Sequence, residues 1–305
     1  INFGVRSNTM DTTLLALRTF MPPDSDDARN HWLQMERLFK IKCERMKKLT
    51  KLYSWCIPKH GVVLECSPIP GGKRELILWL PKENFSIAVD EIYTCPDYTS
   101  GSIVAEGPVF VTLVNSTSKR KLNSIQIDTV FDLPGIPITC LAQSHYPSAM
   151  GGKYFTEGGS RDVDGLVSVL KLEDHNGDGY PAEFPLFENF GCAFTNSTLF
   201  GYSRRKDKLI QYPIRFTNMY NKDTTHTSDS IEHYSGHWVP FLFVFKPGKA
   251  KRKFVVDFTG RGGLLERYQS QYDPAKERFR VSIDSRFRKG DDSLQPSWVP
   301  SAMEE

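Results

Sequence analysis

The segment DHNGDGYPAEF, near the middle of the chain, carries oxygen-bearing side chains at alternate positions. Asp174, Asn176 and Asp178 are followed by Gly179, and glycine lets a chain bend sharply without steric penalty. Alternate side chains of a tight loop converge, and Ca²⁺ takes carboxylate, amide and backbone carbonyl oxygens as ligands. The spacing therefore predicts a calcium site, with the carbonyl of Tyr180 as a further ligand.

The segment resembles the D-x-[DN]-x-D-G loops of EF-hands, dockerins and the FG-GAP repeats of β-propellers. An EF-hand has a glutamate at the twelfth loop position and flanking helices, whereas this chain has Pro185 there and strand-like flanks. An FG-GAP loop usually carries an acid at the ninth position, here Ala182, and its strand-loop-strand setting is the closer match. The resemblance implies Glu183, or alternatively Glu188, as the closing ligand. It also implies a structural ion that holds two strands together.

The same residue types also form turns that hold no ion. Asp and Asn side chains accept hydrogen bonds from the backbone close by, and glycine permits the turn. An Asx-rich turn is therefore the alternative to a calcium site. A second acidic pair, Asp162 and Asp164, is a weaker candidate for a cation.

Other chemically capable side chains lack the spacing of a known site. His226, His233 and His237 lie near Glu232, but the pattern is not H-E-x-x-H, and nearby Gly, Ser and Thr favour a loop. The glycines around Arg261 lack the lysine and spacing of a phosphate-binding loop and favour a tight turn. No G-x-S-x-G nucleophile motif is present. The catalytic residues, if there are any, stay unknown.

Paired carboxylates are the remaining catalytic possibility. Glycoside hydrolysis needs two of them at a defined separation, which spacing along the chain does not give. The candidate acids are Glu173, Glu183, Glu188 and Glu266.

The charge balance argues against a nucleic-acid partner. The chain has 39 Lys and Arg against 36 Asp and Glu, a formal net charge of +3, and a nucleic-acid footprint needs clustered cations. Short basic clusters do occur, and their pattern favours solvated faces or hairpin tips over a polyanion-binding patch. They span residues 40–51, 118–121, 203–208 and 246–253.

The cysteines and the first residue favour an exported protein. Six cysteines permit three disulfides, and we expect at least one, with Cys56 joined to Cys66 or Cys95 to close a short loop; buried thiols in a cytosolic protein are the alternative. The sequence begins with Ile1 rather than Met, which a removed signal peptide or a trimmed chain would explain. No apolar run approaches the roughly 20 residues of a membrane span. We predict a secreted or periplasmic location and no transmembrane segment.

One long helix is predicted before the strands begin. From Ala28 to about Leu52 the apolar residues fall close to helical spacing, with Lys and Arg on the other face, and Ser25 or Asp26 can cap the helix. After Cys56, short runs rich in Val, Ile, Leu and Phe alternate with Gly- and Pro-containing turns. This pattern of short apolar runs and turns predicts antiparallel strands.

Two segments give more specific strand predictions. GPVFVTLVNSTSKRKLNSIQI, residues 107–127, predicts a hairpin. In its first strand one face carries Val109, Val111 and Leu113, and the other carries Phe110, Thr112 and Val114. LVSVLKLE, residues 166–173, predicts the strand that precedes the acidic loop.

The predicted fold is mainly β, an antiparallel β-sandwich or open β-sheets with one N-terminal amphipathic helix. We divide the chain into an N-terminal segment with the helix (1–56), a β-sandwich-like domain (57–140), a second β-rich region with the calcium loop (141–288) and a polar tail (289–305).

The predicted function is that of an exported, calcium-stabilised β protein. It would act as a binding or structural module for a protein or glycan partner. The alternative is a secreted carbohydrate-active hydrolase, which requires two buried acids about 5–10 Å apart in an aromatic-lined groove. The sequence does not specify the ligand or the oligomeric state.

Overall fold

The computed structural model is mainly β, with largely antiparallel sheets and, among the residues that it describes, two helices near the N-terminus. It describes residues 5–7, 9–19, 26–87, 103–127, 135–139, 154–155, 168–190, 194–218, 234–236, 253–259 and 264–287. The helices are α1 (Met10–Thr19) and α2 (Asp26–Leu52). The strands are β1 (Val5–Ser7), β2 (Val62–Pro68), β3 (Arg74–Leu80), β4 (Phe85–Ile87), β5 (Ile103–Glu106), β6 (Val109–Asn115), β7 (Arg120–Ile127), β8 (Gly135–Thr139), β9 (Tyr154–Phe155), β10 (Glu183–Phe190), β11 (Phe194–Ser203), β12 (Lys208–Gln211), β13 (Ile214–Asn218), β14 (Tyr234–Gly236), β15 (Lys253–Thr259), β16 (Leu264–Asp273) and β17 (Arg278–Phe287).

The chain forms two compact units. The first contains residues 1–175 and 179–211, and the second contains residues 176–178 and 212–305. In the first unit, sheet A has the strand order β1-β4-β5-β8, sheet B the order β2-β3-β6-β7 and sheet C the order β12-β11-β10-β9. In the second unit, sheet D has the order β13-β17-β16-β15, and its β13–β17 pair is parallel. The domain boundaries predicted from the sequence stay predictions.

Strand β3 is apolar on both faces, which makes sheet B central to the first unit. Leu76, Leu78 and Leu80 point to one side and join the main core, while Ile77 and Trp79 point to the other and join a smaller cluster. Successive side chains of a strand alternate between faces, so a run without polar residues must be covered on both sides.

The 109–127 hairpin was predicted with its faces correctly assigned. Strands β6 and β7 pair antiparallel, and Val109, Val111 and Leu113 all lie in the main core. On the opposite face, Val114 and Phe110 belong to the smaller cluster around Trp79. The period-two alternation was sufficient here because each face buries apolar residues of its own.

Helix α2 confirms the long helix predicted from apolar spacing. Its stripe begins in the main core with Met35 and Phe39, whose ring packs edge-on against Phe85, and ends at Leu49 against the smaller cluster. Within the part of the chain that the structure describes, no helix is long and apolar enough to cross a bilayer.

Helix α1 was missed from the sequence. Its first turn is polar, with Asp11 and two threonines, so its apolar residues do not form a recognisable helical pattern. It is fixed to α2 by contacts that sequence spacing does not reveal: the indole N–H of Trp32 donates to the carbonyl of Leu17, and Arg18 Nε lies 2.8 Å from Glu36 Oε1.

The strand predicted at residues 166–173 is wrong over its described part, 168–173. Only an isolated bridge at Glu173 has strand pairing there. Glu65 explains the difference, since its carboxylate accepts the Ser168 hydroxyl at 2.6 Å and the backbone N–H groups of Val169 and Leu170 at 2.8 and 3.1 Å. Two backbone donors that a sheet would need are bonded to a side chain instead.

The disulfide predicted between Cys56 and Cys66 is also wrong, because both are free thiols, as is Cys43. Cys56 Sγ donates instead to the carbonyl oxygen of Tyr53 at 3.2 Å. Burial raises the pKa of Cys43 to about 12 and that of Cys56 to about 11, so both thiols stay protonated at neutral pH. Cys95, the other proposed partner, lies outside the described residues.

Two substitutions on α2 test its buried stripe. Met35 is fully buried, whereas Leu33 is 45% exposed on the same helix. We expect Met35→Ala to lower the free energy of unfolding by about 2–5 kcal/mol, because it removes core contacts and leaves a cavity. Leu33→Ala should change it by about 0.5 kcal/mol or less. Urea unfolding of both variants measures the difference, and equal losses would show that the helix does not pack as described.

Candidate functional site

The acidic loop connects the segment bonded to Glu65 with strand β10. At its start, Asp174 Oδ2 accepts the backbone N–H of Gly179 at 2.8 Å, and Gly179 has a positive φ of 85°. At its end, the buried Glu183 accepts the backbone N–H of His175 through Oε2 at 3.1 Å. The sharp bend predicted at Gly179 is confirmed, and the two carboxylates bond to the backbone of the loop itself.

Asn176–Asp178 group with the second compact unit. Asn176 is 1% exposed; its Oδ1 accepts the N–H of Asp178 at 2.8 Å, and its Nδ2 lies 3.5 Å from the hydroxyl of Tyr212. Tyr212 packs in turn against Tyr272 and Phe279. The amide that was predicted as a calcium ligand is therefore also a buried structural group.

Three of the predicted calcium ligands accept backbone hydrogen bonds, which is the geometry of the Asx-rich alternative. Over the described residues, no group of three or more His, Cys, Asp or Glu side chains is arranged to hold a metal ion. The predicted site also draws on the amide of Asn176 and the backbone carbonyl of Tyr180, so calcium binding stays a prediction. Asp162 and Asp164, the histidines 226, 233 and 237 and the side chain of Glu188 lie outside what the structure describes.

Two of the carboxylates proposed for hydrolysis, Glu173 and Glu183, lie opposite each other in an antiparallel bridge, but they are not the two buried acids that a hydrolase requires. In the first unit Glu183 is buried, while Glu173 is exposed and lies 2.6 Å from Lys171 Nζ. In the second unit the buried acid is Glu277. Glu266 has no described side chain. The hydrolase thus gains no supporting observation.

Tyr180 fixes the acidic loop to two hairpin turns of the first unit. Its hydroxyl donates to the carbonyl of Pro70 in the β2–β3 turn, and the guanidinium of Arg204 in the β11–β12 turn lies over its ring, 4.5 Å from the centroid. A cation above an aromatic face is attracted by the ring's negative face. The side chain of Tyr180 therefore has a structural role that is separate from the carbonyl predicted as a ligand.

An ion pair joins the same two hairpins. Arg74, at the start of β3, donates to both carboxylate oxygens of Asp207 at 2.8 and 2.7 Å, and the Tyr202 hydroxyl donates to Asp207 Oδ1 at 2.8 Å. These hydrogen bonds hold the pKa of Asp207 below its usual value of 3.8, and the bond from Arg74 has the largest effect. Asp207 has a φ of 47°, a conformation that Asp and Asn tolerate better than most residues.

The β6–β7 turn lies beside the β11–β12 turn. The side-chain amide of Asn123 on β7 donates to the Leu209 carbonyl at 2.9 Å and accepts the Leu209 N–H at 3.0 Å. Arg120, at the first position of β7, is close enough to Asp207 to help lower its pKa. Both turns therefore lie at the same end of the first unit, because β7 and β12 leave them side by side.

We call this region the hairpin end and define it as turn residues 70–73, 116–119 and 204–207 with the first residues of the strands that follow. It carries eight exposed cations. They are Lys73, Lys119, Arg120, Lys121, Arg204, Arg205, Lys206 and Lys208. Two of the basic clusters, residues 118–121 and 203–208, are thus confirmed as hairpin tips, and their adjacency could not be predicted from local sequence patterns.

No known protein-family model matches the chain, and no curated protein matches it significantly.

The ion pair predicts an acid-dependent loss of stability. Because the pKa of Asp207 is lowered in the folded chain, its ionic contacts stabilise the fold above pH 3.8 and are lost as the pH falls through the lowered pKa. We expect Asp207→Asn, which suits the backbone conformation, to cost about 1 kcal/mol or less at pH 7, since the side chain is 41% exposed.

Urea unfolding between pH 7 and about pH 2 should show that difference shrinking towards zero. Glu44→Gln, which removes an exposed carboxylate from α2, is the control, with an expected change of about 0.5 kcal/mol or less. A cost that stays constant over this pH range would contradict the role given to the ion pair.

The backbone conformation of Gly179 leads to a second prediction about the stability of the fold. A Cβ added there meets no atom within 4 Å, so the cost of a side chain comes from the φ of 85°. We expect Gly179→Ala to destabilise the fold by about 1–2 kcal/mol and Gly179→Asn to cost less, since Asn tolerates this region. Thermal unfolding of both variants compares them, and an alanine variant as stable as the parent would show that the turn is not formed.

Proposed function

We propose that the chain is an exported, calcium-stabilised β protein that acts as a binding module for a protein or glycan partner, and that the hairpin end is its binding surface. The observation that carries this proposal is the convergence of two basic hairpin tips on one end of the first unit, joined by the two Asn123–Leu209 hydrogen bonds.

The contacts beneath the hairpin end support a preformed surface. Arg74 and Asp207 connect the β3 strand to the β11–β12 turn, and Tyr180 connects the acidic loop to the turns that contain Pro70 and Arg204. A surface that is already fixed loses little conformational freedom on binding, and this favours affinity. The exposed cations are therefore presented on a framework of half-buried and exposed contacts.

Calcium is the second element of the proposal. The acidic loop lies against the hairpin end through Tyr180, and its start is closed by Asp174 and Gly179. A divalent ion bound by the loop would neutralise carboxylates that otherwise repel each other, and its binding free energy would add to the stability of the fold. In this proposal the ion stabilises the framework and takes no part in a reaction.

Thermal melting tests the calcium element. We expect excess Ca²⁺ to raise the melting temperature of the parent and EDTA to lower it, by about 5 °C, because a ligand that binds only the folded chain stabilises it. Asp178→Ala should abolish the response. Asp26→Ala, which removes an exposed acid at the start of α2, should retain it, and Mg²⁺ should not replace Ca²⁺. A parent whose melting temperature ignores both Ca²⁺ and EDTA would rule out the calcium site.

Array binding tests the choice of surface. The fluorescently labelled chain is applied to arrays of glycans and of exported proteins, beside Arg205→Gln/Lys206→Gln at the hairpin end and Lys47→Gln/Lys48→Gln on α2. All four cations are exposed, and the two double variants change the net charge equally. We expect the first to lose the parent's signals by about tenfold and the second to keep them. Signals that survive in the hairpin-end variant would place the binding surface elsewhere.

A further inference from the structure

The hairpin end carries eight exposed cations, and its three turns contain one acid, Asp207. Its exposed cations come from three turns and from the first residues of the following strands. The acid within the β11–β12 turn, Asp207, is bonded to Arg74 and Tyr202. Its negative charge is therefore offset by a neighbour inside the fold, and the formal charge of the two basic tips, residues 116–121 and 204–208, is positive.

The aromatic side chains described at this end are not open for base stacking. Tyr202, beside the 204–207 turn, is half-buried and its hydroxyl donates to Asp207 at 2.8 Å. Tyr180 is half-buried beneath Arg204. Proteins that bind single-stranded nucleic acid combine cations with exposed aromatic platforms, so this partner class is not favoured.

Apolar anchors for a membrane are likewise not described at this end. Among the described residues the exposed large apolar side chains are Leu15, Leu33 and Leu52, and all three lie on the helices. Stable docking to a bilayer combines charge with buried apolar area. A lipid surface therefore fits the hairpin end less well than a hydrated partner that offers only charge.

We propose that the hairpin end binds an anionic polysaccharide, a linear glycan that carries sulfate or carboxylate groups along its length. This inference rests on the proposed function, because it names the class of partner that the same surface takes. Adjacent tips, the 116–119 and 204–207 turns, present cations that can contact successive anionic groups of one chain. Guanidinium groups suit sulfate and carboxylate because they bind both in a bidentate way.

Binding of the full chain to defined polymers tests this inference. The probes are heparin as the sulfated polysaccharide, alginate as the carboxylated one and dextran as the neutral control. A 24-base-pair DNA duplex and vesicles of phosphatidylcholine with phosphatidylglycerol represent the other two polyanion classes. We expect heparin or alginate to bind more tightly than DNA or vesicles, and dextran to show no binding. The logarithm of the binding constant should fall linearly with the logarithm of the salt concentration.

Two matched fourfold variants locate the site. The hairpin-end variant is Lys119→Gln/Arg120→Gln/Arg205→Gln/Lys206→Gln, and the helix variant is Arg37→Gln/Lys47→Gln/Lys48→Gln/Lys51→Gln. All eight side chains are exposed, and each variant removes four charges. We expect the hairpin-end variant to bind heparin or alginate at least about tenfold more weakly with a flatter salt dependence, and the helix variant to change affinity less than about threefold.

Several outcomes would overturn the inference. Equal losses in both variants would show that net charge, and not this surface, drives binding. Tighter binding to DNA or to vesicles than to either polysaccharide would assign the surface to another class of partner, and no binding to any polymer would remove the inference outright. The parent could fail to bind either polysaccharide and still bind a protein or a neutral glycan. If the hairpin-end variant then lost that binding, this inference would be overturned and the proposed function would stand. Melting curves check that both variants fold. If the fourfold hairpin-end variant does not fold, the double variant Arg205→Gln/Lys206→Gln replaces it, and Lys47→Gln/Lys48→Gln becomes its control.

Discussion

The first unit depends on one constraint, which is that strand β3 has apolar side chains on both faces. Leu76, Leu78 and Leu80 require cover on one side, and Ile77 and Trp79 require it on the other. Burying apolar area contributes roughly 25 cal/mol per Å², so neither face can be left to water without a large loss. The main core covers one face of sheet B, and the end of α2 with the segment that follows it covers the other.

The same alternation that builds the core also produces the hairpin end. Arg74 occupies the position before Leu76 on the inward face of β3. A cation at the margin of an apolar face needs an anionic partner, and Asp207 supplies it with bidentate geometry. Sheet packing and the arrangement of the basic tips are therefore linked through one side chain, because Asp207 belongs to the turn that carries Arg205 and Lys206.

Sequence patterns predicted those parts of the fold in which local spacing determines the outcome. The apolar stripe of α2 and the two-sided alternation of the 109–127 hairpin both repeat with the period of their element. Residues 168–173 have strand-like composition, yet the distant Glu65 takes two of their backbone donors. Strand β16 (Leu264–Asp273) is the opposite case, because it is a strand without strand-like composition. Its sequence is largely polar, and pairing with β15 and β17 makes it a strand.

The candidate site was predicted less completely than the fold. The bend at Gly179 follows from local residue types, and so did the assignment of residues 118–121 and 203–208 to exposed basic segments. Their meeting at one end was not predictable, because it depends on contacts between residues far apart in the sequence, such as Asn123 with Leu209. The free thiols of Cys56 and Cys66 show the same limit, since an even count of cysteines does not give their positions in space.

The side chain of Asn123 has a further consequence for how copies of this chain meet one another. Strand β12 is the edge of sheet C, and an edge strand with open N–H and C=O groups is a template for pairing with a foreign strand. The amide of Asn123 occupies both groups of Leu209. A single carboxamide thus takes the place of a neighbouring strand at this position, and both backbone groups of Leu209 are no longer open to a strand from another copy.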